Sequence, residues 1–249
     1  MKIGIMGAMT EEIAGLVDAM GSRREQVEVG RRTYHVGELY GREVVIVFSR
    51  WGKVAAATTA TELLARHGVE RMIFTGVAGA VSPALRVGDV VVGSTLYQHD
   101  MNGSPLFPRH EIPLLGVSGF ETEASARREA ALAVERFLAR RREWIPDEVA
   151  SEFGIAAPKV VEGAIASGDK FFADGAELGE LRGRLPDVAC VEMEGAAVAQ
   201  VCHEYGVPLT VIRTISDAAD EGAPVDFARF VREIASRYSL GVVRSLLGG

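Results

Sequence analysis

Five acidic residues stand where apolar segments of this sequence end or where a helix begins. They are Glu12, Asp169, Glu192, Glu194 and Asp217. No cysteine–histidine pair and no GxSxG turn accompanies them, so the sequence does not support serine or cysteine nucleophilic catalysis. An acid, a base and a carboxylate that holds hydroxyl groups could instead cleave a glycosidic bond through an oxocarbenium-like transition state. Each acid alone could equally be a helix cap or an ion-pair partner.

The stretch from Val188 to Ala219 must position three of these acids. One apolar run ends at Glu192–Glu194, a helix follows to about Tyr205, and a second apolar run from Pro208 to Ile215 ends at Ser216-Asp217. Continuous apolar runs are typical of strands buried on both faces. Ligands of open α/β sheets bind at the carboxyl ends of strands, so we expect these acids in a binding site.

The N-terminus predicts a strand, a turn and a helix, and Glu12 lies in the first turn of that helix. Lys2–Met6 is the strand, and Thr10 is the expected N-cap. The glycines of GIMG resemble part of a dinucleotide-binding turn, but the third glycine of that motif is missing. Glu11 and Glu12 would repel a pyrophosphate at this helix start.

Three loops complete the candidate site regions. Gly76–Ala80 is expected to be a loop that follows a strand, and it is either a plain turn or a loop that lets backbone approach a ligand. Phe171 and Phe172 follow another strand, where they could stack on a planar ligand or anchor the loop in the core. Residues 99–119 are expected to be irregular. They include His99 and His110, but their spacing does not support a metal site.

The length suits one large domain or two small ones, and because no linker, internal repeat or low-complexity segment divides the sequence, we predict a single domain spanning residues 1–249. The chain is 48% hydrophobic and 24% charged, which is ordinary for a protein with a large core. A net charge of −7 without a basic stripe argues against nucleic-acid and anionic-membrane partners. The sequence has two cysteines in apolar segments and no secretion signal, so we expect a cytoplasmic protein with reduced thiols.

Seven short blocks follow one another along nearly the whole chain: GIMGAMTEEI, GKVAAA, TGVAGA, VGDVVV, SGDKFF, VEMEGAAVAQVC and VIRTISDAAD. In this order they resemble the 5'-methylthioadenosine/S-adenosylhomocysteine nucleosidase family of the purine nucleoside phosphorylase superfamily. The resemblance is weakest from Met101 to Pro158. It implies an α/β fold, a three-layer αβα sandwich with a twisted mixed central β-sheet. It also implies hydrolysis of the N-glycosidic bond of 5'-substituted adenosines, with no metal and no organic cofactor.

The resemblance gives each matching residue a role. Glu12 would be the general base that activates the attacking water, and Arg213 would help to orient that water. Asp217, held by Ser216, would protonate adenine N7, and Glu194 would accept from the ribose 2' and 3' hydroxyls. The other matched residues would contact the nucleoside: Met193 at the ribose, Phe171 stacked on adenine, the Phe172 backbone at the Watson–Crick edge, and Val77, Ala78, Gly79, Trp51 and Glu192 around them.

Trp51 departs from the family, which has a small aliphatic residue beside the sugar and the 5'-alkylthio group. Aminofutalosine, 5'-deoxyadenosine and AMP are therefore alternative substrates. The sequence also leaves open a phosphate-dependent purine nucleoside phosphorylase and a non-catalytic nucleoside-binding protein. The resemblance further implies a role in methionine salvage and a homodimer, and His99–Phe107 is the candidate segment that would close the partner's 5' pocket.

Overall fold

The structure is a computed structural model that describes residues 1–219 and 222–248, with only the backbone of residues 224–226. Ten strands in these ranges form one mixed sheet. They are β1 (Ile3–Gly7), β2 (Glu25–Val29), β3 (Arg32–Leu39), β4 (Arg42–Phe48), β5 (Arg71–Ala80), β6 (Val90–Gln98), β7 (Phe120–Glu121), β8 (Val160–Ser167), β9 (Val188–Glu192) and β10 (Leu209–Asp217).

Helices cover both faces of this sheet. They are α1 (Thr10–Ala19), α2 (Lys53–Ala65), α3 (Ala124–Ala139), α4 (Asp147–Glu152), α5 (Gly175–Arg184), α6 (Gly195–Tyr205), α7 (Ala223–Phe230) and α8 (Ser236–Leu247), and a π-helical segment, Val231–Ala235, joins the last two. The amphipathic pattern of the sequence from Val225 to Leu247 predicts one closing helix, which this π segment interrupts. The polar composition of residues 218–224 predicts a loop, and part of this stretch lies outside the described residues.

The alternation of side chains along β1 shows how the two faces are filled. Ile3 and Ile5 pack into the core that contains α1, α3 and α8, whereas Met6 packs into the core that contains α2 and α6. A strand buried on both faces reads as a continuous apolar run because neither set of side chains meets water. The prediction of a three-layer αβα sandwich around a mixed sheet is confirmed.

Part of the sheet closes on itself. The strand order is β10-β6-β8-β9-β5-β1-β4-β3-β2, and β10 pairs with β5 as well as with β6. β5 runs parallel to β10 along almost its whole length, while only its last residues, Gly79 and Ala80, pair with β9. β9 and β10 run in opposite directions, yet their carboxyl ends meet at the end of β5. The closure therefore brings the acids of both strands together.

The predicted loop at Gly76–Ala80 is wrong, because these residues continue β5 as a regular strand. The two glycines of this stretch leave space for neighbouring carboxylates. A Cβ on Gly76 would lie 2.5 Å from Oε1 of Glu12, and a Cβ on Gly79 would lie 2.9 Å from Oδ1 of Asp217. The glycines of this strand make room for carboxylates that approach its backbone.

Residues 99–119 are irregular, as expected, apart from two isolated bridges between Asn102 and Arg109 and between Ile112 and Val117.

Within the described part of the chain, no helix has the length and apolar character needed to cross a membrane.

Candidate active site

A cleft of about 530 Å³ opens beside the end of β5. Its lining contains all but one of the residues to which the resemblance gives a role: Glu12, Trp51, Val77, Ala78, Gly79, Phe171, Phe172, Glu192, Met193, Glu194, Ser216 and Asp217. The exception, Arg213, is buried behind Glu192, to which it is hydrogen-bonded. The closed part of the sheet thus assembles one cleft from residues at opposite ends of the chain.

Glu12 is a buried carboxylate held by three backbone N–H groups. Its Oε2 accepts from Ala8 at 2.6 Å and from Met9 at 3.0 Å, and its Oε1 accepts from Val77 at 3.0 Å. Met9, instead of Thr10, is the N-cap of α1, because the Glu12 side chain reaches back to the Met9 N–H. Burial raises the pKa of Glu12, although the charge of Arg213 and the three N–H groups act in the opposite direction.

Gly76→Ala is predicted to displace Glu12. The new methyl would lie 2.5 Å from Oε1, so the carboxylate must move by a large part of an ångström. If Glu12 is the general base that the resemblance implies, a shift of this size is expected to lower kcat by roughly a hundredfold. Steady-state kinetics checks the prediction, with Gly179→Ala in α5 as the control because its Cβ would meet no atom within 4 Å. An unchanged kcat in Gly76→Ala would show that catalysis does not depend on this position of Glu12.

Asp217 ends β10 with both carboxylate oxygens in hydrogen bonds. Oδ2 accepts from Oγ of Ser216 at 2.7 Å, and Oδ1 accepts from the N–H of Ala219 at 2.9 Å. Ser216 Oγ also lies 3.4 Å from the carbonyl oxygen of Ala78. The side chain of Asp217 is buried at the cleft wall, and the hydrogen bonds from Ser216 and Ala219 fix its direction.

Glu194 is the third buried carboxylate of the cleft. Its Oε1 accepts from the N–H of Gly52, at the start of α2, at 2.7 Å. Burial, reinforced by the negative charge of Glu192, raises the pKa of Glu194 to about 8. Hydroxyl donors from a ligand would favour the charged form, so binding of a diol is expected to lower this pKa again.

The raised pKa of Glu194 predicts a pH-dependent stability of the ligand-free protein. The carboxyl keeps its proton up to pH about 8 when folded and only to 4.5 when unfolded. The stabilisation is therefore complete below pH 4.5 and is lost as the pH rises through 8. Between about pH 5 and pH 9 the Tm of the wild type should fall more than that of Glu194→Gln. Parallel slopes in the two proteins would contradict the shift.

Glu192, which lines the cleft, forms a buried ion pair with Arg213 behind it. Nη2 of Arg213 lies 2.8 Å from Oε2 of Glu192, and its guanidinium stacks 4.0 Å from the centre of the Phe74 ring. Glu192 also accepts from the N–H groups of Glu194 and Gly195 at the start of α6, and from Oγ of Ser167. A carboxylate at a helix N-terminus is stabilised by the helix dipole. The pair therefore fixes the backbone that carries Glu194.

Aromatic rings form one wall of the cleft. Phe171 contacts Phe227 of α7 edge to face, with ring centres 5.4 Å apart, and Phe227 makes the same contact with Trp51 at 5.7 Å. Trp51 is 51% exposed. Phe172 is buried against His99, with ring centres 5.3 Å apart. Both phenylalanines line the cleft. Phe171 fits the predicted role of a stacking surface, whereas Phe172, which is buried, also fits the predicted role of a core anchor.

Comparison with known proteins places this chain in a family. A model of the phosphorylase superfamily matches residues 2–248. A 5'-methylthioadenosine/S-adenosylhomocysteine nucleosidase of Chromohalobacter salexigens is 37% identical over 97% of this chain and 94% of that protein. The crystal structure of such a nucleosidase from Colwellia psychrerythraea 34H, in complex with adenine, is 32% identical with a TM-score of 0.86, covering 100% of this chain and 95% of that chain.

The chain belongs to the 5'-methylthioadenosine/S-adenosylhomocysteine nucleosidase family. The resemblance carried by the seven sequence blocks is confirmed, and so is the prediction of an enzyme of the N-glycosidic hydrolase class. A futalosine hydrolase from Helicobacter pylori strain 26695 has the same fold, with 34% identity, a TM-score of 0.83 and coverage of 99% of this chain and 97% of that chain.

Asp169, a candidate acid from the sequence, is not among the residues that line the nucleosidase cleft. Its Oδ1 accepts from the N–H of Lys53 at 2.7 Å, so it caps the N-terminus of α2 from outside the helix. Helix capping is the alternative role that the sequence also allowed for each of these acids. Among the described residues, no group of three or more His, Cys, Asp or Glu side chains is arranged to hold a metal ion.

Six cleft residues of this nucleosidase family member were not predicted from the sequence. They are Ala8, Met9, Lys170, Val191, Ala219 and Phe227. The first five lie close to predicted site residues in the sequence, so widening each motif by a few positions would have found them. Phe227 gives no such signal, because it lies in the closing helix and reaches the cleft only through the packing of α7.

Proposed function

We propose that this protein hydrolyses the N-glycosidic bond of 5'-substituted adenosines such as 5'-methylthioadenosine and S-adenosylhomocysteine, releasing adenine and a 5'-substituted ribose. The observation that carries the proposal is the meeting of three buried carboxylates, Glu12, Glu194 and Asp217, in one cleft with an aromatic wall. An oxocarbenium-like transition state carries positive charge on the sugar, and carboxylates around it stabilise that charge.

Asp217 is the proposed general acid. Protonation of adenine N7 makes the base a better leaving group as its bond to C1' breaks. Ser216 and the Ala219 N–H direct the carboxyl, so the proton can be delivered from a fixed position. Phe171 would stack on the adenine ring, and the Phe172 backbone would contact its Watson–Crick edge.

Glu12 is the proposed general base, and it would take a proton from the water that attacks C1'. Its raised pKa brings a carboxylate closer to the basicity that such a step needs. The expectation that Arg213 orients this water stays a prediction. Arg213 is bonded to Glu192, so a role in holding Glu192 and the start of α6 is the one its contacts support.

Glu194 and Met193 are proposed to hold the ribose. A carboxylate that accepts hydrogen bonds from the 2' and 3' hydroxyls contributes about 1.5–3 kcal/mol for each charged hydrogen bond. Val77, Ala78 and Gly79 contribute the end of β5 to the lining of the cleft. The substrate would therefore contact both the end of β5 and the aromatic wall.

Hydrolysis is favoured over phosphorolysis because protein carboxylates occupy two helix N-termini at the cleft, those of α1 and α6. Glu12 takes the Ala8 and Met9 N–H groups before α1, and Glu192 takes the Gly195 N–H at α6. A phosphate would normally bind such N–H groups. The test is incubation with 5'-methylthioadenosine with and without phosphate. Equal adenine release is expected, whereas release that requires phosphate and yields a ribose 1-phosphate would refute hydrolysis.

A second candidate is a nucleosidase that acts mainly on aminofutalosine or 5'-deoxyadenosine. The similarity to a futalosine hydrolase and the exposed Trp51 at the cleft favour considering it. Comparison of kcat/KM for 5'-methylthioadenosine, S-adenosylhomocysteine, aminofutalosine, 5'-deoxyadenosine and AMP decides between the candidates. Adenine release from any of them would exclude a non-catalytic binding protein.

We further propose that the enzyme is a cytoplasmic homodimer of single-domain chains, works without a cofactor and serves methionine salvage. The 84% exposure of Leu106, within the segment His99–Phe107, is consistent with a subunit contact there. Light scattering of the wild type and of Leu106→Asp tests the dimer. A wild-type protein that stays monomeric at micromolar concentration would contradict it.

A further inference from the structure

Three segments of the chain meet in a ring of hydrogen bonds at the start of α2. The ring consists of Lys53, Asp100 and Asp169. Oδ1 of Asp169 accepts from the Lys53 N–H at 2.7 Å, the Asp169 N–H donates to Oδ2 of Asp100 at 3.0 Å, and Nζ of Lys53 donates to Oδ1 of Asp100 at 2.6 Å. The ends of β6 and β8 are thereby tied to the first residue of α2.

The ring holds Gly52, the residue next to Lys53, in a defined orientation. Gly52 has φ +93°, a conformation that side-chain-bearing residues rarely adopt. A Cβ on it would lie 3.0 Å from Oδ1 of Asp169. Its N–H points to Oε1 of Glu194 at 2.7 Å. Rotation of this turn would move the Gly52 N–H and the Lys53 N–H together, and so would break the ring.

Asp100 closes the ring because it accepts from both other members. The Lys53 side chain that it binds is only 16% exposed and also donates to Oε1 of Gln98 at 3.2 Å. Although burial raises the pKa of Asp100, hydrogen bonds from Lys53 and the Asp169 N–H hold it below its usual value. Asp100 therefore acts as a charged acceptor, and its two bonds use different oxygens.

We infer that Asp100 is a positioning residue for the ribose-binding carboxylate, acting through Lys53 and the Gly52 N–H on Glu194. The inference rests on the proposed function, in which Glu194 accepts from the sugar hydroxyls. Asp100 does not line the cleft, so its effect on the reaction would pass through the ring alone. It also begins the irregular segment 99–119, which links the placement of that segment to the sugar end of the site.

Asp100→Asn is the sharpest variant because it keeps the shape of the side chain and removes one acceptor. The amide nitrogen cannot accept a hydrogen bond, so either the Lys53 contact or the Asp169 N–H contact is lost. Lys53→Met opens the same ring from its other side. Glu129→Gln is the matched control, because Glu129 forms an ion pair with Arg71 at 2.8 Å that is remote from the cleft.

The experiment measures kcat/KM of the full chain for 5'-methylthioadenosine and for its 2'-deoxy analogue, which lacks one hydroxyl proposed to bind Glu194. Asp100→Asn and Lys53→Met should lose roughly tenfold on the riboside, with a much smaller loss on the 2'-deoxy analogue. Glu194→Gln should show the same selective loss, more strongly. The control Glu129→Gln should behave as the wild type on both substrates. Circular dichroism verifies that each variant is folded.

Two results would overturn the inference in distinguishable ways. In the first result, Glu194→Gln loses its preference for the riboside, but the two ring variants either affect both substrates equally or affect neither substrate. Asp100 then does not act through Glu194. If Glu194→Gln keeps the wild-type preference, the proposed ribose contact itself fails, and the inference fails with it.

Discussion

Asp217→Asn is expected to lower the rate of adenine release by about 10²–10⁴-fold, with little change in nucleoside affinity. The asparagine amide cannot transfer a proton to adenine N7, so the adenine leaving group would depart as an anion. The side chain keeps its size and one carbonyl oxygen. The loss should therefore appear in kcat, because the interaction concerned is made only in the transition state.

The contacts of Asp217 explain why the variant should still fold. The asparagine oxygen can accept from the Ala219 N–H, and its NH₂ can donate to Oγ of Ser216. The hydroxyl of Ser216 can then turn towards the carbonyl oxygen of Ala78, which is 3.4 Å away. The variant can thus keep the hydrogen bonds to Ser216 and Ala219, with donor and acceptor exchanged in the bond to Ser216.

Single-turnover kinetics and equilibrium binding of an adenosine analogue separate the two effects. Asp174→Asn is the matched control: Asp174 caps α5 by accepting from the Ala176 N–H, a role that asparagine fills equally well. A variant Asp217→Asn that cleaves as fast as the wild type would remove Asp217 from the mechanism.

Glu12→Gln is expected to lower kcat by about 10²–10⁴-fold and, unlike the previous variant, to lower Tm as well. All three groups that bind Glu12 are backbone N–H donors: those of Ala8, Met9 and Val77. In either orientation of the glutamine amide, its NH₂ faces at least one of these donors. The variant thus loses the base and leaves a buried N–H without an acceptor.

Glu11→Gln is the matched control for this prediction, because Glu11 is the exposed neighbour on the same turn of α1. It should match the wild type in both kcat and Tm. The pH profile adds a second readout. Since burial raises the pKa of Glu12 and the base must be unprotonated, activity should fall with decreasing pH through a limb above 4.5. A limb that persists unchanged in the residual activity of Glu12→Gln would have to be assigned to another group.

The sequence predicted the parts of the site that follow from local pattern. Glu194 and Asp217 stand at the ends of apolar runs, and Glu12 begins a helix after an apolar strand, so each could be placed at an element boundary from the chain alone. The seven blocks then gave roles to these positions. Strand and helix order was predictable for the same reason, because buried strands read as continuous Val, Ile and Leu.

What could not be predicted depends on contacts between distant residues. The GVAGA stretch has the composition of a loop, and its strand conformation follows from backbone pairing with β10 and β9, which lie far away in the sequence. The ion pair of Arg213 and Glu192 joins β10 to β9, which are separated in the sequence by α6. Asp169 has the sequence context of a catalytic acid, yet it caps α2, because the segment that it meets lies far earlier in the chain.

The insertion of β10 between β5 and β6 has a consequence for biosynthesis. Until residues 209–217 have left the ribosome, β5 and β6 each present an unpaired strand edge where β10 will bind. Such edges are templates for pairing with other chains. The last strand to be synthesised therefore both pairs with these two edges and delivers Asp217, so the chain covers both edges and gains the proposed acid in the same step.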